Sequence, residues 1–276
     1  MIVQHNMTAL NANRQLGITN TNLARSTEKL SSGYRVNRAA DDAAGLSISE
    51  KMRGQIRGLE QASTNAEDGQ SLIQTAEGAL SEIHSVLQRM RELTVQASND
   101  TNVSADRKAI AKEVRALTSE INRIATQTQF NTMGLLSGGF KNKKLQVGAN
   151  TNQTISITIS SMTARKLGVS ATVIAKVISS STGKEITKLI TTVNTAITKV
   201  STQRSALGAL QNRLDHTIAN ADNMAENLQS SESKIRDVDM ADEMVSYSAS
   251  SILQQAGQSM LAQANQSTQG VLSLLQ

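Results

Sequence analysis

The sequence predicts a mainly α chain, a long antiparallel coiled-coil or helical bundle with one β-hairpin. Three observations carry that expectation. Apolar residues recur at alternating spacings of three and four over long stretches. Pro is absent from all 276 residues, which removes the strongest helix breaker. Aromatics are 1% of the chain, namely Tyr34, Phe130, Phe140 and Tyr247. A large compact globule relies on aromatic anchors, so thin helices packed through Ala, Leu, Ile, Val and Met fit better.

The elements follow in order. Val3, Met7 and Leu10 lead into a heptad stripe of Leu16, Leu23 and Leu30. The pattern Ser47-Ile-Ser-Glu50 reads as a capping box that opens a helix running to Ser98. Its stripe is Met52, Ile56, Leu59, Ala66, Ile73, Ala76, Leu80, Ile83, Leu87, Met90 and Ala97. Asn99–Asn102 is a turn, and Ser104 is the expected N-cap of a helix striped by Ile110, Val114, Leu117, Ile121 and Ile124. Glycines at 134, 138 and 139 break the chain, and two alternating segments around 145–147 and 155–159 predict a hairpin within about 141–160. Residues 160–185 are Ser/Thr-rich and weakly patterned, so a loop or short strands are expected. A last long run starts near Ile186 and reaches Ile235, breaks around Asp237–Asp239, and gives way to an amphipathic segment with Met240, Met244, Ile252, Ala256, Met260 and Ala264. The chain ends apolar, Val271-Leu-Ser-Leu-Leu275. The two long runs predict a chain folded back on itself, and the outermost stripes need partners in each other and in other copies of the chain.

Chemistry is hard to find. There are no Cys, so thiolate metal sites and thiol nucleophiles are excluded. His5, His84 and His216 show no metal-ligand spacing and read as solvent-facing. The stretch from Gly134 to Lys141 approaches a phosphate-binding loop, but Phe140 stands where the Lys belongs. Asp41, Asp42, Asp237 and Asp239 sit at helix boundaries and read as caps. The net charge of +5 is spread along helical faces beside acidic residues, and four scattered aromatics form no base-stacking platform, which argues against nucleic acid. No stretch approaches the about 20 apolar residues of a transmembrane helix, so no membrane insertion is expected. The opening residues lack the basic region and apolar core of a cleavable signal peptide. That leaves cytoplasmic residence or exit by a route that reads no such signal. Neither a cofactor nor an enzymatic activity is expected.

Two regions then match something specific. Leu30-Ser-Ser-Gly-Tyr-Arg-Val-Asn-Arg-Ala-Ala-Asp-Asp-Ala-Ala-Gly-Leu-Ser-Ile-Ser-Glu-Lys-Met-Arg53, continued through Leu87–Gln96, resembles the N-terminal signature of bacterial flagellins. Ser233-Lys-Ile-Arg-Asp-Val-Asp-Met-Ala241, with Met260-Leu-Ala-Gln-Ala-Asn-Gln266 and the apolar end, resembles their C-terminal signature. The resemblance implies a D0 domain of terminal helices at 1–40 and 237–276, lining a filament's inner tube, and a D1 bundle over 41–236. With only about 25 unmatched residues in the middle, it implies a minimal form without outer domains. It further implies a homopolymeric extracellular flagellar filament used for motility, export of the unfolded chain, and an export chaperone on the C-terminal segment. Filament cap and hook-junction proteins are the other implied flagellar partners. A last implied partner is animal Toll-like receptor 5, with Arg89, Glu92, Leu93 and Glu113 as receptor-binding residues. The implied assembly stripes are Leu16, Leu23, Leu30, Ile252, Met260, Leu272 and Leu275. The alternatives are a hook–filament junction protein and a cytoplasmic coiled-coil adaptor.

Overall fold

A computed structural model describes residues 6–180 and 183–274 of the chain. Seven helices and two small antiparallel ladders follow one another along it. The chain forms two compact units: the outer segments, up to Gln55 and from Glu226, make one, and Ile56–Ala225 makes the other.

In the middle unit the core is a stack of aliphatic side chains. Helix α2 (Ala43–Ser98) contributes Ile73, Leu80, Ile83, Leu87 and Met90, all fully buried. Helix α6 (Gly183–Arg236) answers with Val193, Val200, Leu207 and Leu214. The two run antiparallel, as Ser63–Asp222, Gln70–Asp215 and Glu77–Arg204 show, bonded at 2.9, 2.6 and 3.4 Å. Helix α3 (Ser104–Gln127) adds Ile110, Val114 and Ile121. The three-four spacing thus maps onto burial almost residue by residue.

The helix starts differ from the expected ones. Helix α2 begins four residues before Ser47: Asp42 Oδ1 accepts the Gly45 amide at 2.8 Å and caps it, and the Ser47–Glu50 box lies inside the helix. Ser104 is the first helical residue of α3, where the Asp106 carboxylate accepts the Val103 amide. A side-chain acceptor captures free amides at either end of such a motif, so sequence alone misplaces the start by a turn.

After α3 the chain makes a two-residue ladder, β1 (Gln129–Phe130) with β2 (Met133–Gly134), that the sequence did not announce. Its turn holds Asn131 and Thr132 at positive φ, 47° and 64°, a conformation uncommon for a β-branched residue. The expected hairpin is present as β3 (Lys143–Gln146) and β4 (Thr154–Ile157), registered Lys143↔Ile157 and Gln146↔Thr154. It lies close on α2, since a Cβ on Gly58 would sit 2.9 Å from the Ala149 Cβ.

Of the stretch 160–185, expected as a loop or short strands, the residues at 160–180 are neither throughout. They form α4 (Ala164–Leu167) and α5 (Ala171–Ser180), and α5 packs on α3 with Ile174, Ala175 and Ile178 fully buried. Thr, Val and Ile dominate α5 and carry weak helix propensity, and burial against α3 overrides it.

In the outer unit, α1 (Met7–Ser32) lies antiparallel to α7 (Met240–Leu274). Gly33 ends α1 in the left-handed conformation (φ 74°), its amide bonded to Lys29 O at 2.8 Å. Asp239 caps α7 through the Ala241 and Asp242 amides, as expected of an Asp at that boundary.

The contrast between a sealed core and exposed outer helices sets a test. Leu87→Ala should destabilise by about 2–5 kcal/mol through the cavity it leaves, whereas Ile252→Ala should stay within about 0.5 kcal/mol in the isolated chain. Urea unfolding followed by circular dichroism checks both. Equal losses would mean the core is assigned to the wrong residues.

Candidate functional site

Helix α1 turns one heptad face toward α7: Ala12, Leu16, Thr19, Leu23, Ser26 and Leu30, all half-buried or buried. Helix α7 meets it with Glu243, Tyr247, Ser250, Gln254, Gly257, Leu261 and Ala264, again at alternating four and three. Three contacts fix the antiparallel order: Lys29 to Glu243 at 3.5 Å, Gln254 to Asn20 at 2.8 Å, and Asn6 to the Ala264 carbonyl at 2.9 Å. The seam mixes leucines with small and polar residues, and only Ser26 and Ala264 in it are buried.

Many large apolar residues of the two helices lie outside the seam. Among the described residues fourteen large hydrophobic side chains are exposed; α1 carries Met7, Leu10 and Ile18, and α7 carries Met240, Met244, Val245, Ile252, Leu253 and Met260. Ile252 is 66% and Met260 63% exposed. The expected stripes therefore divide. Leu16, Leu23 and Leu30 lie in the seam, while Ile252 and Met260 face outward. Ala264 parts company with the methionines it was grouped with. The exposed apolar side chains of α7 are spread around its circumference outside the seam, and the seam's small residues allow the close approach that seats Leu16 against Gly257. The Leu272 side chain and the whole of Leu275 lie outside the described residues.

At the inner ends of these helices the two signature segments meet. The Arg35 amide donates to Arg236 O at 2.7 Å, the Val238 amide donates to Gly33 O at 3.0 Å, and Tyr34 and Asp237 pair as an isolated bridge. The Arg236 guanidinium lies 4.7 Å from the centroid of the Tyr34 ring and bonds Glu50 at 2.8 Å. Val36 is sealed beside this knot at 1% exposure. Both segments stand out in the sequence, but nothing in their pattern says that they bind one another. What marks them is a Tyr-Arg pair after the Gly that ends α1 and an Arg-Asp pair before the Asp that caps α7.

The Arg236 hydrogen bond holds the Glu50 carboxyl below its ordinary value of 4.5, assisted by Arg53 and opposed by partial desolvation. The Arg38 and Asn37 amides likewise lower Asp41, the Arg38 bond contributing most.

In the middle unit, Arg89 Nη2 and Nε hold Glu113 at 2.9 and 3.1 Å, and Nη1 holds Glu92 at 3.0 Å. The two carboxylates, Glu92 first, raise the Arg89 guanidinium further above its already high value. These three side chains form one exposed charged cluster across α2 and α3. Leu93 is elsewhere: it is 2% exposed and belongs to the core.

The remaining candidates hold no chemistry. His216 is exposed, His84 is half-buried with Nε2 3.3 Å from Gln88, and His5 lies outside the described residues. Among the described residues no group of three or more His, Asp or Glu is placed to hold a metal ion. No helix there is long and apolar enough to cross a membrane. A mainly helical molecule with exposed apolar side chains on its two terminal helices offers surfaces suited to packing against other proteins.

Comparison with known proteins places it. Residues 3–141 match the bacterial flagellin N-terminal helical region, and residues 190–275 match the bacterial flagellin C-terminal helical region. A flagellin of Halalkalibacterium halodurans is 53% identical, and one of Bacillus subtilis 48% identical, each over all of both chains. The chain belongs to the bacterial flagellin family, in a compact form, and that family consists of filament structural subunits, not enzymes. A putative flagellar hook-associated protein from Vibrio parahaemolyticus shares the fold, with a TM-score of 0.62 over 71% of this chain and 100% of that one, at 13% identity.

The Glu50 pairing gives a pH prediction. A carboxyl lowered in the folded state contributes stability that is complete above its ordinary value and is lost as pH falls through the native one. Thermal unfolding of the native chain should therefore weaken below about pH 4.5 more steeply than that of Glu50→Gln. Parallel curves would show that the pair contributes nothing.

Proposed function

We propose that the chain self-assembles into the flagellar filament through the outward faces of α1 and α7. The single observation that carries this is the set of nine exposed apolar side chains among the described residues of those two helices. Burying even a few of them against neighbouring copies contributes about 1.5–3 kcal/mol each, whereas the seam between the helices leaves its leucines only half-buried. In this reading α1 and α7 form the D0 inner tube, 1–40 and 237–276, and 41–236 forms D1. Because the seam buries so few residues, the terminal helices gain full order only as a subunit joins the growing end.

The same faces account for the other flagellar partners. An apolar stripe on α7 suits an export chaperone that accepts an amphipathic helix in a groove. Filament cap and hook-junction proteins meet the polymer at its two ends. Lack of Cys and Pro suits passage as an unfolded chain and extracellular polymerisation. The junction-protein alternative is weaker, since what supports it is a fold shared at 13% identity. The adaptor alternative leaves the outward faces without use.

A second reading, Toll-like receptor 5 recognition, is favoured by the Arg89–Glu92–Glu113 cluster. Its charges already share one exposed surface, and buried Leu93 supports that surface from beneath.

Two measurements test these readings. Ile252→Asp should abolish salt-induced filament formation, seen by negative-stain electron microscopy, while leaving the helical circular dichroism of the free chain intact. Filaments at the native critical concentration would sink the assembly reading. In a receptor reporter assay Arg89→Ala should lose roughly tenfold in potency, the worth of one charge-assisted contact, and equal potency would remove the receptor assignment.

A further inference from the structure

The outward faces of α1 and α7 carry an unusual share of one side chain. Met7, Met240, Met244 and Met260 are four of their nine exposed apolar residues, each between 49% and 66% exposed. The chain has ten Met and neither Cys nor Trp, so thioethers are its readily oxidised groups. Burial separates the methionines sharply. Met90 and Met162 are 0% and 3% exposed in the middle unit's core, and Met52 is half-buried. Met133 and Met224 are exposed but stand off the α1 and α7 faces.

The geometry points to Met7, Met240, Met244 and Met260 as modification sites: a peroxide converts their thioethers to sulfoxides in the free subunit and thereby withholds that subunit from the polymer. The inference rests on the assembly reading above. In the step, the sulfur lone pair attacks one peroxide oxygen, the O–O bond breaks, and the sulfur gains an oxygen as the peroxide is reduced to water. The thioether loses two electrons and the peroxide accepts them. The sulfoxide is polar and chiral where the thioether was apolar and pliable. Seated in an apolar contact its oxygen finds no donor, and an unpaired buried polar group opposes association. A subunit already in the filament is shielded by its neighbours, so the device acts on addition and leaves the standing polymer intact. Sulfoxides are reduced back by methionine sulfoxide reductases, one enzyme per epimer, so the block is reversible.

The test treats the full-length chain with hydrogen peroxide and maps sulfoxides by peptide mass spectrometry. Met7, Met240, Met244 and Met260 should oxidise well ahead of Met90 and Met162. The critical concentration for polymerisation should rise by at least about tenfold, and treatment with both reductases and a thiol reductant should restore it. The variant with all four outer methionines changed to Leu should show little difference between its own treated and untreated critical concentrations. Met133→Leu with Met224→Leu should keep the full difference. The inference is overturned if oxidised wild type polymerises at its untreated concentration. It is equally overturned if reduction fails to restore assembly or the four-Leu variant stays as sensitive as wild type. Untreated wild type that never polymerises overturns the assembly reading itself, and this inference with it.

Discussion

Two backbone hydrogen bonds, Arg35 N to Arg236 O and Val238 N to Gly33 O, tie together segments 200 residues apart in the chain. The rest of the outer unit depends on them. They set where α1 stops and α7 starts, and so they fix the register in which Leu16, Leu23 and Leu30 meet the small residues of α7. Gly33 is required because the chain must turn at φ 74°, which a side chain disfavours. The Arg236 guanidinium between Tyr34 and Glu50 closes the knot with one cation–π contact and one ion pair. Closing so long a loop costs entropy that grows only slowly with its length, and the contacts that repay it are spread over the whole length of two helices.

Packing in the two units follows opposite logics. In the middle unit, Ile, Leu and Val from α2, α3 and α6 fill one another's gaps and leave polar groups outside. In the outer unit the seam leucines are only half-buried, and further large apolar side chains of α1 and α7 stay exposed. A protein whose stability were its only requirement would cover them. Leaving them open makes sense for a subunit whose last burial step is association.

Much of this was legible in the sequence. The long helices, the hairpin and the capping roles of Asp42 and Asp239 follow from periodicity and from the short polar side chains that compete for free amides, but the start of α2 at Ala43 does not, since Ser47–Glu50 offers a competing box. The helical identity of 171–180 was not legible, because β-branched residues such as Ile174 and Ile178 favour helix there only once α3 covers them. The division of the α7 stripe was not legible either. Met240, Met244, Ile252, Ala256, Met260 and Ala264 read together as one amphipathic segment, and periodicity does not say which of them meets α1. Leu93 shows the same limit from the other side, since a residue flanked by charges at 91 and 92 turns fully into the core. Pattern identifies faces, and partners decide which of them is inside.

The central claim is that the faces left open on α1 and α7 are the ones that hold copies of the chain together. A cryo-electron-microscopy reconstruction of filaments grown from the purified chain tests it most directly. The account predicts an inner tube in which Leu10, Ile252, Leu253 and Met260 are buried against neighbouring subunits, with the α1–α7 seam unchanged. A reconstruction in which those side chains still face solvent, with subunits joined through other surfaces alone, would contradict it.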